Sequence, residues 1–349
     1  MYELKNFKGV IIICFADTPF ITKKTIKNLI QSVKSGNDIA LTSFKKNEKN
    51  SYGKIILSQD NKPIRITEDR NSKLDTLLCN GGIMAFKSDI IFNLLSKIKP
   101  DNITKEYYLT EVVEIAAQND LKIDLIHIEE QEILGVNSRE DLALAEKIIQ
   151  TKLRHFFLNQ GVTLIDPETN YFSYDTIIEK DVTIFPNVFI GEGVKIETGS
   201  NILPFCHLEN CSIKKNVSVG PFARIRKNTV LNQNTKIGNF VELKNVISGN
   251  EVKINHLSYL GDTSIGKFSN IGAGSITCNY DGHKKNKTFI GSNAFVGSNS
   301  TMVAPLKIGN NSTIGAGSVI TENVNNGDLA IGRERQINKK DRSITKKKN

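Results

Sequence analysis

The chain has 349 residues, room for two domains, and carries 46 Lys and Arg against 37 Asp and Glu, a formal charge of +9. No apolar run approaches the ~20 residues of a membrane span, and the five cysteines form no CxxC pair, which sets aside a membrane-spanning protein and a disulfide framework. The basic balance suits anionic small substrates such as phosphates and coenzymes, and the tail "KKDRSITKKKN" reads as a solvated end rather than a nucleic-acid arm.

In chain order, "GVIIICFADTPF" reads as a buried strand running into a loop. Asp17 and Pro19 follow its apolar run with no small-residue cleavage site, so a cytosolic protein is expected. "TKKTIKNLIQSVKS" spaces Ile26, Leu29, Ile30 and Val33 as a helix. "DIALTSF", "GKIILSQ", "CNGGIMAF" and "KIDLIHIE" read as strands, and "SDIIFNLLSKI" and "KEYYLTEVVEIAAQ" as helices. Residues 1–137 are therefore expected to form an α/β domain with a largely parallel sheet. Residues 138–160 read as one linking helix, ~30 Å long. Ser138 and Asp141 form a capping box, Leu142, Ala145, Ile149, Leu153 and Phe156 one apolar face, and Gly161 the stop.

From about residue 184 a period of six takes over. Ile190, Ile196, Ile202 and Leu208 obey it. After a slip of one, Ile213, Val219, Ile225, Leu231, Ile237 and Leu243 do so again, and Ile290, Val296, Met302, Ile308, Ile314 and Ile320 follow near the end. Six fits neither a helix nor simple strand alternation. It is the period of a left-handed parallel β-helix, one short strand and a corner per hexapeptide, and residues 161–335 are assigned to it. Residues 336–349 form the basic tail. The clean period fails at 244–289, where "CNYDGHKKNKT" reads as a loop leaving the coil.

Reactive side chains cluster at 226–298: Arg226, Glu242, Lys244, His256, Tyr259, Asp262, Asn270, Asn279, Tyr280, Lys285 and Ser298. His256, in "NHLSYLGD", suits a general base near neutral pH, and Arg226 and Lys244 suit a phosphate clamp. Against this stands the plainer reading of His256 as a surface residue at a corner. His207, His256 and His283 lack the spacing of a zinc site. Cys278 reads as a small packed thiol.

"GPFARIR", "GNFVELKN", "NHLSYLGD", "NIGAGSITCNYDG", "FVGSNSTMVAP" and "IGAGSVI" occur in order. Together they resemble the bifunctional N-acetylglucosamine-1-phosphate uridylyltransferase / glucosamine-1-phosphate N-acetyltransferase family. The resemblance implies acetyl transfer from acetyl-CoA to glucosamine-1-phosphate by a homotrimer whose sites are shared between neighbouring β-helices. It implies His256 as the base, Arg226 and Lys244 on the sugar phosphate, and Tyr259 and Asn270 on the sugar. Ala273, Asn279, Tyr280, Ser298, Ala316 and Arg333 would contact acetyl-CoA, with Lys285 in the loop beside them.

The resemblance extends into residues 1–137 through "FADTP", "SYGKI", "CNGG" and "GVNSR", with Ala16 where many members have Gly. It implies Asp17 and Asn137 as Mg²⁺ ligands and Gly53, Glu68 and Asn80 as nucleotide-sugar contacts. Such enzymes open with a Gly-rich, Arg-containing loop that cradles the triphosphate. None precedes Gly9, so an impaired uridylyltransferase is expected beside an intact acetyltransferase. Two alternatives stand with this reading. One keeps both activities, with a complementing chain supplying the loop for UTP. The other is a non-catalytic trimeric scaffold whose tail binds an acidic partner.

Overall fold

The computed structural model describes residue 4 and residues 6–46, 52–67, 77–101 and 105–340. Glu68 lies outside the described residues. The chain divides into two compact units, Met1–Glu146 and Lys147–Asn349.

In the first unit the strands are β1 (Val10–Ile13), β2 (Ile39–Lys45), β3 (Lys54–Leu57), β4 (Pro63–Thr67), β5 (Leu78–Lys87) and β6 (Ile123–His127). The helices are α1 (Lys23–Lys34), α2 (Ser88–Lys97) and α3 (Glu111–Gln118). Thr22 caps α1 by accepting from the Thr25 N–H at 3.1 Å, and Leu29 and Val33 bury the expected face. The sheet order is β4-β3-β5-β2-β6, with β1 also on β5. The expectation of a largely parallel sheet is corrected. Among the described strand pairs of this sheet only β2 and β6 are parallel neighbours, because β5 runs antiparallel to β1, β2 and β3 and separates strands that share one direction. Apolar runs mark which segments are buried, but they carry no direction. Strand β4 has the polar sequence "PIRIT" and is placed by its hairpin with β3. Helix α3 starts only at Glu111, after a turn, so "KEYYLT" is not its first half.

Helix α4 (Arg139–Asn159) begins with the expected capping box: Ser138 N–H donates to Asp141 Oδ2 at 2.9 Å and Asp141 N–H to Ser138 Oγ at 3.1 Å. Its expected apolar face is corrected, since Leu142 and Phe156 are exposed. The second half of α4 instead closes the open edge of the following coils. The Gln150 amide pairs with the Phe172 backbone, donating to its carbonyl at 2.7 Å and accepting from its N–H at 2.9 Å. Arg154 donates to the carbonyls of Glu168 and Asn170, and Phe157 packs on Phe172 at 4.9 Å. A stack of coils needs such a cap, because its terminal strands would otherwise leave unpaired N–H and C=O groups.

The second unit is a parallel β-solenoid. Its first face stacks ten strands from Thr163–Leu164 to Leu329–Ala330. Leu164, Ile184, Ile202, Val219, Ile237, Ile254, Ile271, Val296 and Ile314 fill its interior, all buried. The coils start about twenty residues before residue 184: Phe172 and Ile178 already keep the period of six, and a 3-10 turn at Pro167–Thr169 interrupts it only between Leu164 and Phe172. The stretch 244–278 is coil as well. Its corners at Asn245 and Asp262 are one residue short and left-handed (φ +55° and +52°), which displaces the period without breaking the stack. Only the segment around 279–287 leaves the coil, closing through a bridge between Tyr280 and Lys285.

Candidate active site

His256 ends the strand Lys253–His256 on the first face. It stands directly opposite Asn239, the last residue of Lys236–Asn239 in the coil before. Its Nδ1 lies 2.6 Å from Asn239 Oδ1, and the ring is exposed. Successive backbone bonds carry the register onward: Gly274 N–H to the His256 carbonyl, Asn299 N–H to Ala273 and Gly317 N–H to Ser298. Asn239, His256, Ala273, Ser298 and Ala316 thus form one column along the coil axis. At ~4.8 Å per coil, His256 and Ala316 stand about 14 Å apart. A Cβ on Gly317 would lie 3.6 Å from Arg333 Cδ, so Arg333 closes the column. Beyond His256 the column carries only the small Ala273, Ser298 and Ala316, which suits it to a long, thin ligand with the imidazole at one end. A cleft of about 430 Å³ beside His256 is lined by Phe222, Asn239, Phe240 and Asn255, among others.

Around the corner, the second face carries the cations. Register places Arg226, Lys244, Gly261 and Cys278 in one outward column. Arg226 Nη1 donates to Glu242 Oε1 at 2.7 Å, while its buried Nε has no partner. The Lys244 ammonium is held below the ordinary lysine range, first because the Lys285 ammonium lies against it and further by Arg226; Asp262 pulls the other way. Three cations thus gather here beside two carboxylates, Glu242 and Asp262, and the positive charge left over suits an anion. Lys285 therefore belongs with this cluster rather than with the column. Its loop is organised by Asp281, whose carboxylate accepts from the N–H groups of Lys284 (2.8 Å) and His283 (2.9 Å) and from the Asn286 amide (2.8 Å). These bonds hold its pKa down to about 2.

The remaining residues are divided. Tyr259 and Asn279 converge over Gly261, where any Cβ would meet both side chains. Asn279 is buried and donates to Asp262, and the Tyr280 hydroxyl donates to the Gly282 carbonyl at 2.6 Å, so one chain keeps both at the loop root and away from the column. Asn270 opens its strand at the far end of the first face, in line with Lys236 and Lys253. Cys278 is exposed, not packed, while Cys206 and Cys211 are pushed up to about 11 and 12 by burial. Asn239 was missed by the sequence reading; its signal was its place one coil before His256. A larger groove of about 1190 Å³ lies along the third face. Its Asn310, Asn323 and Asn326 side chains already accept from backbone N–H groups.

In the first unit, Val136 N–H donates to the Asp17 carbonyl at 2.8 Å. A Cβ on Gly135 would sit 3.3 Å from the Asn137 amide and 3.6 Å from Asp17 Oδ2, so both side chains border the space that Gly135 leaves. One carboxylate and one amide fit Mg²⁺, which takes few protein ligands and completes its shell with water and phosphate. Asn80 N–H donates to the Gly53 carbonyl at 2.8 Å, which brings these two together. No group of three or more His, Cys, Asp or Glu able to hold a metal occurs among the described residues, and no described helix is long and apolar enough to cross a membrane.

The bacterial transferase hexapeptide family (six repeats) matches residues 287–322. The bifunctional protein GlmU of Wolbachia pipientis is 45% identical over 334 residues, 95% of this chain and 77% of that protein. GlmU of Bartonella bacilliformis is 43% identical over 96% of this chain and 75% of its own length. The corresponding figures for Zymomonas mobilis GlmU are 41%, 96% and 76%. The chain belongs to the GlmU family. It is an enzyme, a hexapeptide-repeat transferase, and the coils that carry His256 belong to the same solenoid as the matched repeats, which resume after the loop around 279–287.

Proposed function

We propose that the chain transfers the acetyl group of acetyl-CoA to the amine of glucosamine-1-phosphate, giving N-acetylglucosamine-1-phosphate for UDP-N-acetylglucosamine synthesis. The observation that carries this reading is a pair of outward columns, one ending the first face and one ending the second. A small-residue column runs from His256 to Arg333 on one side, and the Arg226–Lys244–Lys285 cluster lies on the other. The column suits the extended thiol arm of the coenzyme, and the cluster suits a sugar phosphate. His256 takes a proton from the amine as its nitrogen attacks the thioester carbonyl. The C–S bond breaks, and the departing thiolate leaves as the free thiol once protonated. The reaction needs no covalent enzyme intermediate.

Tyr259, Arg226 and Lys244 lie on the second face, whereas Asn270 lies at the far end of the first. A single sugar reaches both sets when two copies stand side by side, which supports a homotrimer with shared sites. The same holds for Asn279 and Tyr280 as coenzyme contacts. An exposed ladder of Phe205, Phe222 and Phe240, stacked at 4.9 and 5.1 Å, lies beside His256 and is suited to burial in such an assembly. The crowded, anion-seeking cations speak against a non-catalytic scaffold. Both substrates are cytoplasmic metabolites, so the reading is of a cytoplasmic enzyme.

Thiol release from acetyl-CoA in the presence of glucosamine-1-phosphate tests the proposal. His256→Ala should lose roughly 10²–10⁴-fold in kcat, the range for a general base. Wild-type rates from that variant, or no turnover from the folded wild-type chain, would refute it. For the first unit, nucleotidyl transfer is the second reading, favoured by the Asp17–Asn137 pair at Gly135. Mg²⁺ held there would screen the phosphates of UTP, with Gly53 and Asn80 facing the nucleotide-sugar. Diphosphate release from UTP and N-acetylglucosamine-1-phosphate, measured with and without chelator and with and without a complementing chain, tests it. The impairment expected for this half is decided by the same assay.

A further inference from the structure

We infer that Asn239 is a positioning residue that fixes His256 in the tautomer needed for catalysis, an inference that rests on His256 acting as the base. The two residues end adjacent strands and stand opposite each other, with Lys236 facing Lys253 and Ile237 facing Ile254 along the same ladder. The Leu257 N–H, donating to the Asn239 carbonyl at 3.0 Å, locks the register at the reacting end. Gly238 lets the coils close here, because a Cβ on it would run into the backbone of Asn255. The half-buried Asn239 amide is thereby brought against the imidazole, Oδ1 to Nδ1 at 2.6 Å.

A carboxamide oxygen only accepts. Nδ1 therefore carries the proton, and Nε2 keeps its lone pair free for the amine. An unpartnered imidazole divides between two tautomers, only one of which presents that lone pair. The choice of an amide also has a consequence. A carboxylate at the same distance would favour imidazolium and remove the base near neutral pH, whereas Asn selects the tautomer without adding charge. No other residue lining the cleft titrates. Lys236 and Lys253 stand three residues back on the two strands, and the following coil presents Asn270, Gly272 and Ala273.

The test compares Asn239→Ala, Asn239→Asp and His256→Ala with the wild-type chain, using the pH profile of kcat/KM and the ¹⁵N spectrum of histidine-labelled protein. His256→Ala assigns the His256 signal among the five histidines. Wild-type His256 should show its proton on Nδ1, and Asn239→Ala should show a mixture. Asn239→Ala should lose roughly 10–100-fold in kcat, as when a histidine loses its orienting partner, with KM for acetyl-CoA unchanged. Asn239→Asp should move the acid limb to higher pH and recover near wild-type rates above it, which a merely structural role would not produce. A wild-type rate in Asn239→Ala, an unmoved acid limb in Asn239→Asp, or a His256 proton on Nε2 would overturn the inference. If the wild-type chain shows no His256-dependent turnover, the functional reading has failed, and the spectrum alone still decides the tautomer.

Discussion

The two units place their chemistry by different rules. In the solenoid a residue's neighbours are those one coil away, so Asn239, His256, Ala273, Ser298 and Ala316 fall into line although they come from five coils. In the first unit Asp17, Gly135 and Asn137 meet only because chain reversals bring the end of β1 back to the start of α4. Register is rigid and periodic; reversal depends on loops. The solenoid should therefore tolerate side-chain changes in its outward columns while punishing any change in coil spacing.

Glycine substitutions put the largest expected effect on that contrast. At Gly238 an added Cβ would strike the backbone oxygen, carbon and Cα of Asn255, none of which can rotate away. Gly238→Ala should cost about 3 kcal/mol or more, the upper range for overpacking. At Gly81 the obstacles are side-chain atoms, Thr42 Oγ1 and Cβ and the end of Ile128, of which only Ile128 turns aside freely, so the strand must give a little and Gly81→Ala should cost about 1–3 kcal/mol, less than Gly238→Ala. Denaturant unfolding, followed separately for each unit, gives the two values. Equal costs would break the comparison.

The cap of the solenoid comes next. Arg154 is buried and satisfies the carbonyls of Glu168 and Asn170, which have no coil beneath them to pair with. Arg154→Met keeps the stem but leaves those acceptors unmet, and should cost about 2–3 kcal/mol in the unfolding of the coils. A loss under half a unit would show that α4 merely lies against the first coil.

A smaller effect tests the cation cluster. Lys285→Ala removes one of three crowded charges. The KM for glucosamine-1-phosphate should rise roughly tenfold or more, as expected for a charge-assisted bond worth about 1.5–3 kcal/mol, while kcat changes little. A rise confined to acetyl-CoA would return Lys285 to the coenzyme column.

Much of this was legible beforehand, for reasons the contrast explains. The six-residue spacing marked the coils because each interior position, such as Ile202 or Ile237, must be aliphatic for its neighbours to stack. His256, Arg226 and Lys244 stood out as chemistry within that monotony. Illegible were features that depend on geometry around a corner. The left-handed Asn245 and Asp262 disguised continuing coils as a break, Asn239 looked like any corner amide, and Lys285 joined Lys244 only through the fold of its loop. In the first unit strand direction was not legible, because an apolar run such as "VIIICF" is the same read against either neighbour. Gln150 and Arg154 were hidden for the opposite reason: a polar pair on a helix looks solvated until the strand edge it caps is in view.

The smallest effect concerns the loop that carries Lys285. The Asp281 carboxylate gathers two backbone N–H groups and the Asn286 amide, and so sets the hairpin in which Lys285 pairs back to Tyr280. Asp281→Asn keeps one acceptor oxygen and loses the charge, so the loop loosens without unfolding, and the KM for the sugar phosphate should rise only a few-fold. The pH dependence gives an independent check. The carboxyl is depressed from 3.8 to about 2. Its contribution to loop order is therefore complete above 3.8 and is lost only as the pH falls through about 2. From about pH 5 to 8 the ratio of variant to wild-type KM should be flat. A ratio that falls toward one as the pH is lowered through 5 would mean that Asp281 is already taking up its proton there, and that the loop is held by something other than its carboxylate.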